Sequence, residues 1–391
     1  MKRIFSVIFC IIIVCTSLSL SAFSVDEKAV SVSAKSVVLM DQSTGNVLFS
    51  INEHEKLFPA SVTKIMSLLL VMEAIDCGKL SLDNKVTASA YAAGKGGSQI
   101  WLKEGETMTV DELLRATAIA SANDACTALG EQLAGSEEGF VRMMNDRAKE
   151  LGMEDTNFVN CTGLDDETTD HLTSAYDIAL MSKELLNHER IMNYSTVWMD
   201  SLRGGATELV NTNKLVRFYK GTTGLKTGTT SKAGYCVSAS AQRDGLHLIA
   251  VVMGSQNSGE RFEDAKAMLN WGFANYETVT PELDMNLITD VNIIKGVEEK
   301  ITPELEKIKP MTLEKGKKAK IESVIDLGVD VEAPVEKGQI LGSVTFKADG
   351  EVIAEYKLTA KESVRKIKLG DMILRMLSSL SARNILNGMA G

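Results

Sequence analysis

The sequence predicts an α/β protein in which an antiparallel sheet is sandwiched by helices, followed by a small all-β domain. Three observations carry this. Strand-like segments stand at both ends of residues 36–278 with helical patterns between them, so one sheet must unite distant parts of the chain. Three late segments, Leu225 to Thr230, Gly234 to Ala241 and Leu246 to Gly254, are joined by short turns and are therefore antiparallel. Residues 282–362 then become rich in Val, Ile and Lys, with turns at Lys315-Gly316, Lys337-Gly338 and Asp349-Gly350.

Taken in order, the chain opens with Lys2 and Arg3, an apolar run from Ile4 to about Val14, and small residues through Ala22. That order describes a secretory signal peptide over residues 1–24, cleaved after Ser21, Ala22 or Ser24. Residues 25–35 are small and polar and read as a linker. Ser36 to Asp41 and Asn46 to Ile51 form a hairpin across the turn residues Gln42-Ser43-Thr44-Gly45. Ser61 to Ile75 is almost continuously apolar around Lys64, too short to span a bilayer, and reads as a buried helix.

Thr109 and Glu112 have capping-box spacing ahead of a further helix. Helices follow over Asp124 to Ala134, Ser136 to Leu151 (with Gly152 as C-terminal stop) and Ser174 to Leu186. A last helix of this domain, about Arg261 to Ala274, packs back on the sheet. The β-rich domain spans 279–365, its clearest hairpin turning at Asp349-Gly350. In residues 366–391, Leu369, Met372, Ile373, Met376, Leu377 and Leu380 share one helical stripe, with Arg375 and Arg383 off it and Lys366 and Lys368 upstream. This is an amphipathic helix suited to an anionic membrane surface; the alternative is a helix docked on its own domain.

Composition narrows the function. The 391 residues are 45% hydrophobic and 24% charged, which is globular rather than disordered, and the net charge of −10 argues against nucleic acid as a partner. Beyond the leader, Cys77, Cys126, Cys161 and Cys236 show no CxxC spacing and read as packing residues rather than staples. The histidines His54, His171, His188 and His247 form no HExxH or HxH group, so neither a metal site nor a cofactor is expected.

Three strings carry the chemistry: Ser61-Val62-Thr63-Lys64, Ser121-Ala122-Asn123 and Lys226-Thr227-Gly228. A serine hydroxyl needs a neighbour to take its proton, and Lys64, three residues on, rises on the same helical face as Ser61. Lysine acts as a base only when burial or another cation lowers its pKa; Lys226 is the candidate second cation. Ser121 can relay a proton, and Asn123 can hold a substrate amide. Lys226, Thr227 and Thr229 can bind a carboxylate and align an extended peptide, with the Ser61 and Thr229 amides as oxyanion hole. Singly each string is weak; in this order and context they specify acyl transfer through a serine ester.

The flanks sharpen this. Pro59-Ala60-Ser61-Val62-Thr63-Lys64, Ser121-Ala122-Asn123-Asp124-Ala125-Cys126, Gly224-Leu225-Lys226-Thr227-Gly228-Thr229-Thr230 and Ala233-Gly234-Tyr235-Cys236 resemble low-molecular-mass penicillin-binding proteins of the D-alanyl-D-alanine carboxypeptidase family. His171-Leu172-Thr173-Ser174-Ala175-Tyr176-Asp177 and Trp271-Gly272-Phe273 extend the resemblance along nearly the whole chain beyond the leader.

It implies the transpeptidase fold shared by penicillin-binding proteins and β-lactamases. The implied activity is removal of the terminal D-alanine from peptidoglycan stem pentapeptides, with β-lactams as acylating inhibitors. Ser61 would be acylated, Lys64 would be its base, and Ser121 and Asn123 would complete the site. Lys226, Thr227, Gly228 and Thr229 would form the substrate strand, and Arg261 would stand near the carboxylate pocket; its alternative is a surface charge at a helix start. The middle string has alanine where many members have glycine, an extra methyl that should be tolerated while tuning the rate. An exported enzyme of this kind would sit peripherally on the outer face of the cytoplasmic membrane, in part secreted.

Two other readings compete. A class A-like β-lactamase would activate water with a glutamate in a Glu-x-x-Leu-Asn string; before Leu186-Asn187 that register holds Lys183. A non-catalytic β-lactam-sensing or wall-binding protein would not need every catalytic side chain, yet all are present.

Overall fold

A computed structural model of the protein describes residues 30–165, 168–317, 320–375 and 377. The leader, Met376 and Leu380 of the terminal stripe, and Arg383 lie outside the described residues.

The first domain is built on a five-stranded sheet. In chain order its strands are β1 (Ser36–Asp41), β2 (Val47–Ile51), β3 (Thr222–Thr230), β4 (Gly234–Arg243) and β5 (Leu246–Ser255). Their spatial order is β2-β1-β5-β4-β3, antiparallel throughout. The hairpin closest to the N-terminus thus pairs with the strand latest in sequence, as strand patterns at both ends require.

Because side chains alternate along a strand, the sheet has two buried faces. Val38, Met40, Ile249, Val251 and Met253 join one apolar core, while Val37, Leu39, Leu248, Ala250 and Val252 join another. On the first face α1 (Lys64–Asp76) and α5 (Ala175–Asn187) pack against the sheet, and α2 (Val110–Ile119), α3 (Asn123–Ala134) and α4 (Glu137–Glu150) pack in turn around α1. Helix α1 is apolar on nearly every side because it runs through the middle of that layer; Ile65, Met66, Leu69 and Met72 are fully buried. Helix α6 (Ser258–Asn275) covers the opposite face with Phe262, Ala265, Met268 and Leu269.

The helix starts follow local chemistry. Thr109 Oγ1 accepts the Glu112 amide while the Glu112 carboxylate accepts the Thr109 amide, the reciprocal cap expected from the sequence. Asn257 caps α6 through the Gly259 and Glu260 amides, so the helix starts at Ser258, three residues earlier than the sequence suggested.

Residues 30–35, expected as a linker, instead dock on the sheet and α6. Val30 is buried, and the Ser33 and Ala34 amides donate to the buried carboxylate of Asp264 at 3.1 and 3.0 Å. Small polar residues read as a linker when the carboxylate that gathers their amides lies far along the chain. Of the four cysteines, Cys126, Cys161 and Cys236 are buried thiols, whereas Cys77 is exposed.

The C-terminal part is all β. One sheet orders Pro303–Leu305, Glu351–Ala360, Ile340–Ala348 and Ile321–Leu327; a second joins Lys300–Ile301, Val291–Ile294 and Asp330–Glu332. The pair Tyr276–Val279 and Met311–Glu314 leads out of α6, and Thr312 Oγ1 donates to Asp41 at 2.7 Å, tying this part to the main sheet. Helical turns resume at residue 369, where Leu369, Met372, Ile373, Leu374 and Leu377 are exposed. Among the described residues no helix is long and apolar enough to cross a membrane.

Candidate active site

Ser61 lies in a single 3-10 turn, Ala60–Thr63, which delivers the chain into α1. Lys64 is the first residue of α1, fully buried, and its Nζ is 2.9 Å from Ser61 Oγ. Two further acceptors hold it: Asn123 Oδ1 at 2.6 Å and the Thr162 carbonyl at 2.9 Å. Burial lowers its pKa to about 8, opposed by the nearby Cys126, Cys161 and Asp124 groups. Of the two routes the sequence left open, burial and a second cation, removal from water is the main activator of this amine.

That cation is nonetheless close. Lys226 on β3 is buried, and its pKa is pushed well below the usual lysine value, first by burial and then by the charges of Lys64 and Arg261. Its Nζ donates to the Thr227 carbonyl at 3.1 Å. Gly228 allows β3 to lie flat against the nucleophile turn. A Cβ there would come within 2.6 Å of the Pro59 carbonyl oxygen and 3.0 Å of the Ser61 amide nitrogen. This contact brings the turn of Ser61 and the strand of Thr229, 168 positions apart in number, side by side.

Thr229 is exposed, and Arg261 is buried behind it. Arg261 Nη1 donates to Gly228 O, Thr229 Oγ1 and Cys236 O at 2.9, 3.0 and 3.2 Å. The arginine is thus a brace for β3 and β4 rather than a surface charge. Thr227 Oγ1 donates to Thr212 Oγ1 at 2.7 Å.

The middle string behaves partly as expected. Ser121 has φ +65° and is nearly buried, and among the described residues its hydroxyl makes no hydrogen bond. Asn123 turns inward: Oδ1 accepts from Lys64, and Nδ2 donates to the Gly96 carbonyl at 2.7 Å. Its amide keeps one N–H and one lone pair for a ligand.

Several supports were missed by sequence reasoning. The carbonyls of Thr162 and Gly96 are backbone groups without a residue signature. Glu137 at the start of α4 accepts the Cys161 amide at 3.1 Å and pairs with Lys95 at 2.6 Å, fixing the segment that supplies Thr162. His171 accepts the Val159 amide on Nδ1 and so donates from Nε2 to Thr63 Oγ1 at 2.8 Å, beside the nucleophile turn. Burial lowers its pKa to about 4.

Two sequence features lie away from this site. Lys183, in the register of a β-lactamase glutamate, packs against the β1–β2 turn at Gly45. Glu73, Glu184 and His188 bring donor atoms within 4.8 Å of one another, and Arg147 pairs with both carboxylates, 2.8 Å from Glu73 and 2.9 Å from Glu184.

Comparison with known proteins agrees with this geometry. Residues 22–257 match the D-alanyl-D-alanine carboxypeptidase family, and residues 276–366 match the C-terminal domain of penicillin-binding protein 5. D-alanyl-D-alanine carboxypeptidase DacF of Bacillus subtilis (strain 168) is 44% identical over 339 residues, covering 85% of this chain and 86% of that protein. DacC of Escherichia coli (strain K12) is 34% identical, with 88% of each chain covered.

Among solved structures, penicillin-binding protein 5 from Haemophilus influenzae superposes with a TM-score of 0.76 at 30% identity, over 86% of this chain and 98% of that one. Ampicillin-bound penicillin-binding protein D2 from Listeria monocytogenes gives 0.55 at 32% identity, over 62% of this chain and 98% of that one. With its serine–lysine pair and both domains matched, the chain belongs to the D-alanyl-D-alanine carboxypeptidase family of serine hydrolases.

Proposed function

We propose that this DD-carboxypeptidase releases the terminal D-alanine of peptidoglycan stem pentapeptides through an acyl-enzyme on Ser61. The observation that carries the assignment is the buried Lys64 amine, 2.9 Å from Ser61 Oγ with its pKa brought down to about 8. The substrate carboxylate lies beside Lys226, Thr227 and Thr229, on the strand that Arg261 braces. Its negative charge favours the protonated form of Lys226, and that charge in turn favours the neutral form of Lys64.

Ser61 Oγ then attacks the carbonyl of the penultimate D-alanine while its proton passes to Lys64. The Ser61 and Thr229 amides stabilise the oxyanion. The proton moves through Ser121 to the leaving amine, and free D-alanine departs. Water attacks the ester, returns the proton and frees Ser61. A β-lactam, whose strained amide presents the same carbonyl and carboxylate, enters by the first half of this route.

The setting of the reaction is part of the same reading. The leader exports the chain, and the terminal helix lies peripherally on the outer face of the cytoplasmic membrane. The exposed Leu369, Met372, Ile373 and Leu377 support contact with lipid without spanning it.

D-alanine release from an Nα-acylated L-Lys-D-Ala-D-Ala peptide tests the activity. Release that penicillin blocks, and that Ser61→Ala abolishes, is expected. Penicillin labelling without any release would instead make the protein a β-lactam sensor.

A further inference from the structure

Beside the catalytic groups the chain between Gly96 and Leu102 is held in a single shape. Asn123 fixes its beginning: Nδ2 donates to the Gly96 carbonyl and the Asn123 amide donates to the Ser98 carbonyl, both at 2.7 Å. Gly97, at φ +76°, has no room for a side chain, since a Cβ would come within 2.7 Å of Asn123 Nδ2. The next residue of α3, Asp124, fixes the other end. Its fully buried carboxylate accepts the Ile100 amide at 3.2 Å and the Leu102 amide at 3.0 Å. Arg203, paired with Glu106, donates to the Ile100 carbonyl at 2.8 Å.

Between those two anchored amides stands Trp101. Ile100 and Leu102 are buried, whereas Trp101 is 75% exposed and has φ +60°. Scattered apolar residues on a surface need no explanation. A large aromatic side chain in the left-handed region does, because it accepts backbone strain to point outward. The strain is maintained by Asp124, the immediate neighbour of a residue that holds the catalytic amine.

We propose that Trp101 is a specificity platform for the ammonium-bearing side chain of the third stem residue. The inference rests on the DD-carboxypeptidase reading of the Ser61 site. A pentapeptide with its carboxylate beside Lys226 and Thr229 and its scissile carbonyl at Ser61 continues past Asn123. Trp101 is three residues from Ser98, a span of at most about 11 Å. An indole and a long amine-bearing side chain bridge that distance between them. The flat face offers the aliphatic stem a contact and the ammonium a cation–π partner. β-Lactams lack this side chain and gain nothing from the platform.

The test compares the whole enzyme with Trp101→Ala and Trp101→Phe on two peptides, Nα-acetyl-L-Lys-D-Ala-D-Ala and its norleucine analogue, which keeps the carbon chain and lacks the amine. Trp101→Ala is expected to lower kcat/KM for the lysine peptide about 3- to 10-fold, through KM, and for the norleucine peptide less than about 2-fold. Trp101→Phe should recover most of the loss, and acylation by benzylpenicillin should not change. Equal losses on both peptides, or none, would overturn the proposal. Slower penicillin acylation would also overturn it, by showing that Trp101 only supports Asn123. A wild-type enzyme that released no D-alanine from either peptide would overturn the underlying activity and the proposal with it.

Discussion

Arg261 Nη1 donates to Thr229 Oγ1 at 3.0 Å, so the first turn of α6 holds the strand residue proposed to receive the substrate carboxylate. The same guanidinium satisfies the carbonyls of Gly228 and Cys236 in the interior. Arg261→Ala should therefore do two things at once. The Gly228 carbonyl keeps the Thr229 hydroxyl at 2.7 Å, but the Cys236 carbonyl loses this donor, which should destabilise the fold by about 1 to 2 kcal/mol in denaturant titration. Loss of the brace should raise KM for the peptide roughly tenfold while kcat changes less. A stable variant with unaltered KM would return Arg261 to an ordinary helix-start charge.

Lys64 gives a prediction with a definite sign. Its pKa is lowered to about 8, and only the neutral amine takes a proton. Below that value the neutral fraction falls as pH falls, so kcat/KM should climb with pH, reach half its maximum near 8 and level off above it. Lys64→Arg keeps the charge but cannot give up its proton, and should lose about 10²- to 10⁴-fold. A rate independent of pH between 6 and 8 would be at odds with this role.

His171 links the site to stability. Its folded pKa of about 4 lies below the unfolded value near 6.5, so the unfolded chain binds the extra proton more readily. The favourable contribution is fully present above about pH 6.5 and is lost as pH falls toward 4, by up to roughly 3 kcal/mol. His247, also lowered to about 4 by burial, acts in the same direction. Urea titrations across this range in the wild type and in His171→Asn provide the check, the variant being less sensitive to acid.

The terminal segment is tested by fractionation. Removing residues 369–391 should shift the protein from the membrane to the soluble fraction and leave peptide hydrolysis within about twofold. Retention at the membrane would place the anchor elsewhere, for instance in an uncleaved leader.

Much of this architecture was legible because the relevant signals are local. The strands of residues 222–255 are strand-like runs joined by short turns, and the capping box at Thr109 and Glu112 marks its own helix. The contact between Ser61 and Lys64 followed from three-residue spacing, even though Ser61 lies in a 3-10 turn and only Lys64 belongs to the α-helix. What escaped the sequence depends on long-range placement. The Thr162 and Gly96 carbonyls act through the backbone, and Glu137 works by holding a distant loop. Asn123, read as a substrate ligand, also spends its amide on Lys64. The docking of residues 33 and 34 depends on Asp264, more than two hundred positions away.

The most direct measurement is the site of the penicillin adduct. After incubation with benzylpenicillin, intact mass should show one adduct per chain, and peptide mapping should place it on Ser61. The adduct should be absent from Ser61→Ala and slow to form in Lys64→Arg. An adduct that persists in Ser61→Ala, or maps to another residue, would contradict the assignment of Ser61 as nucleophile.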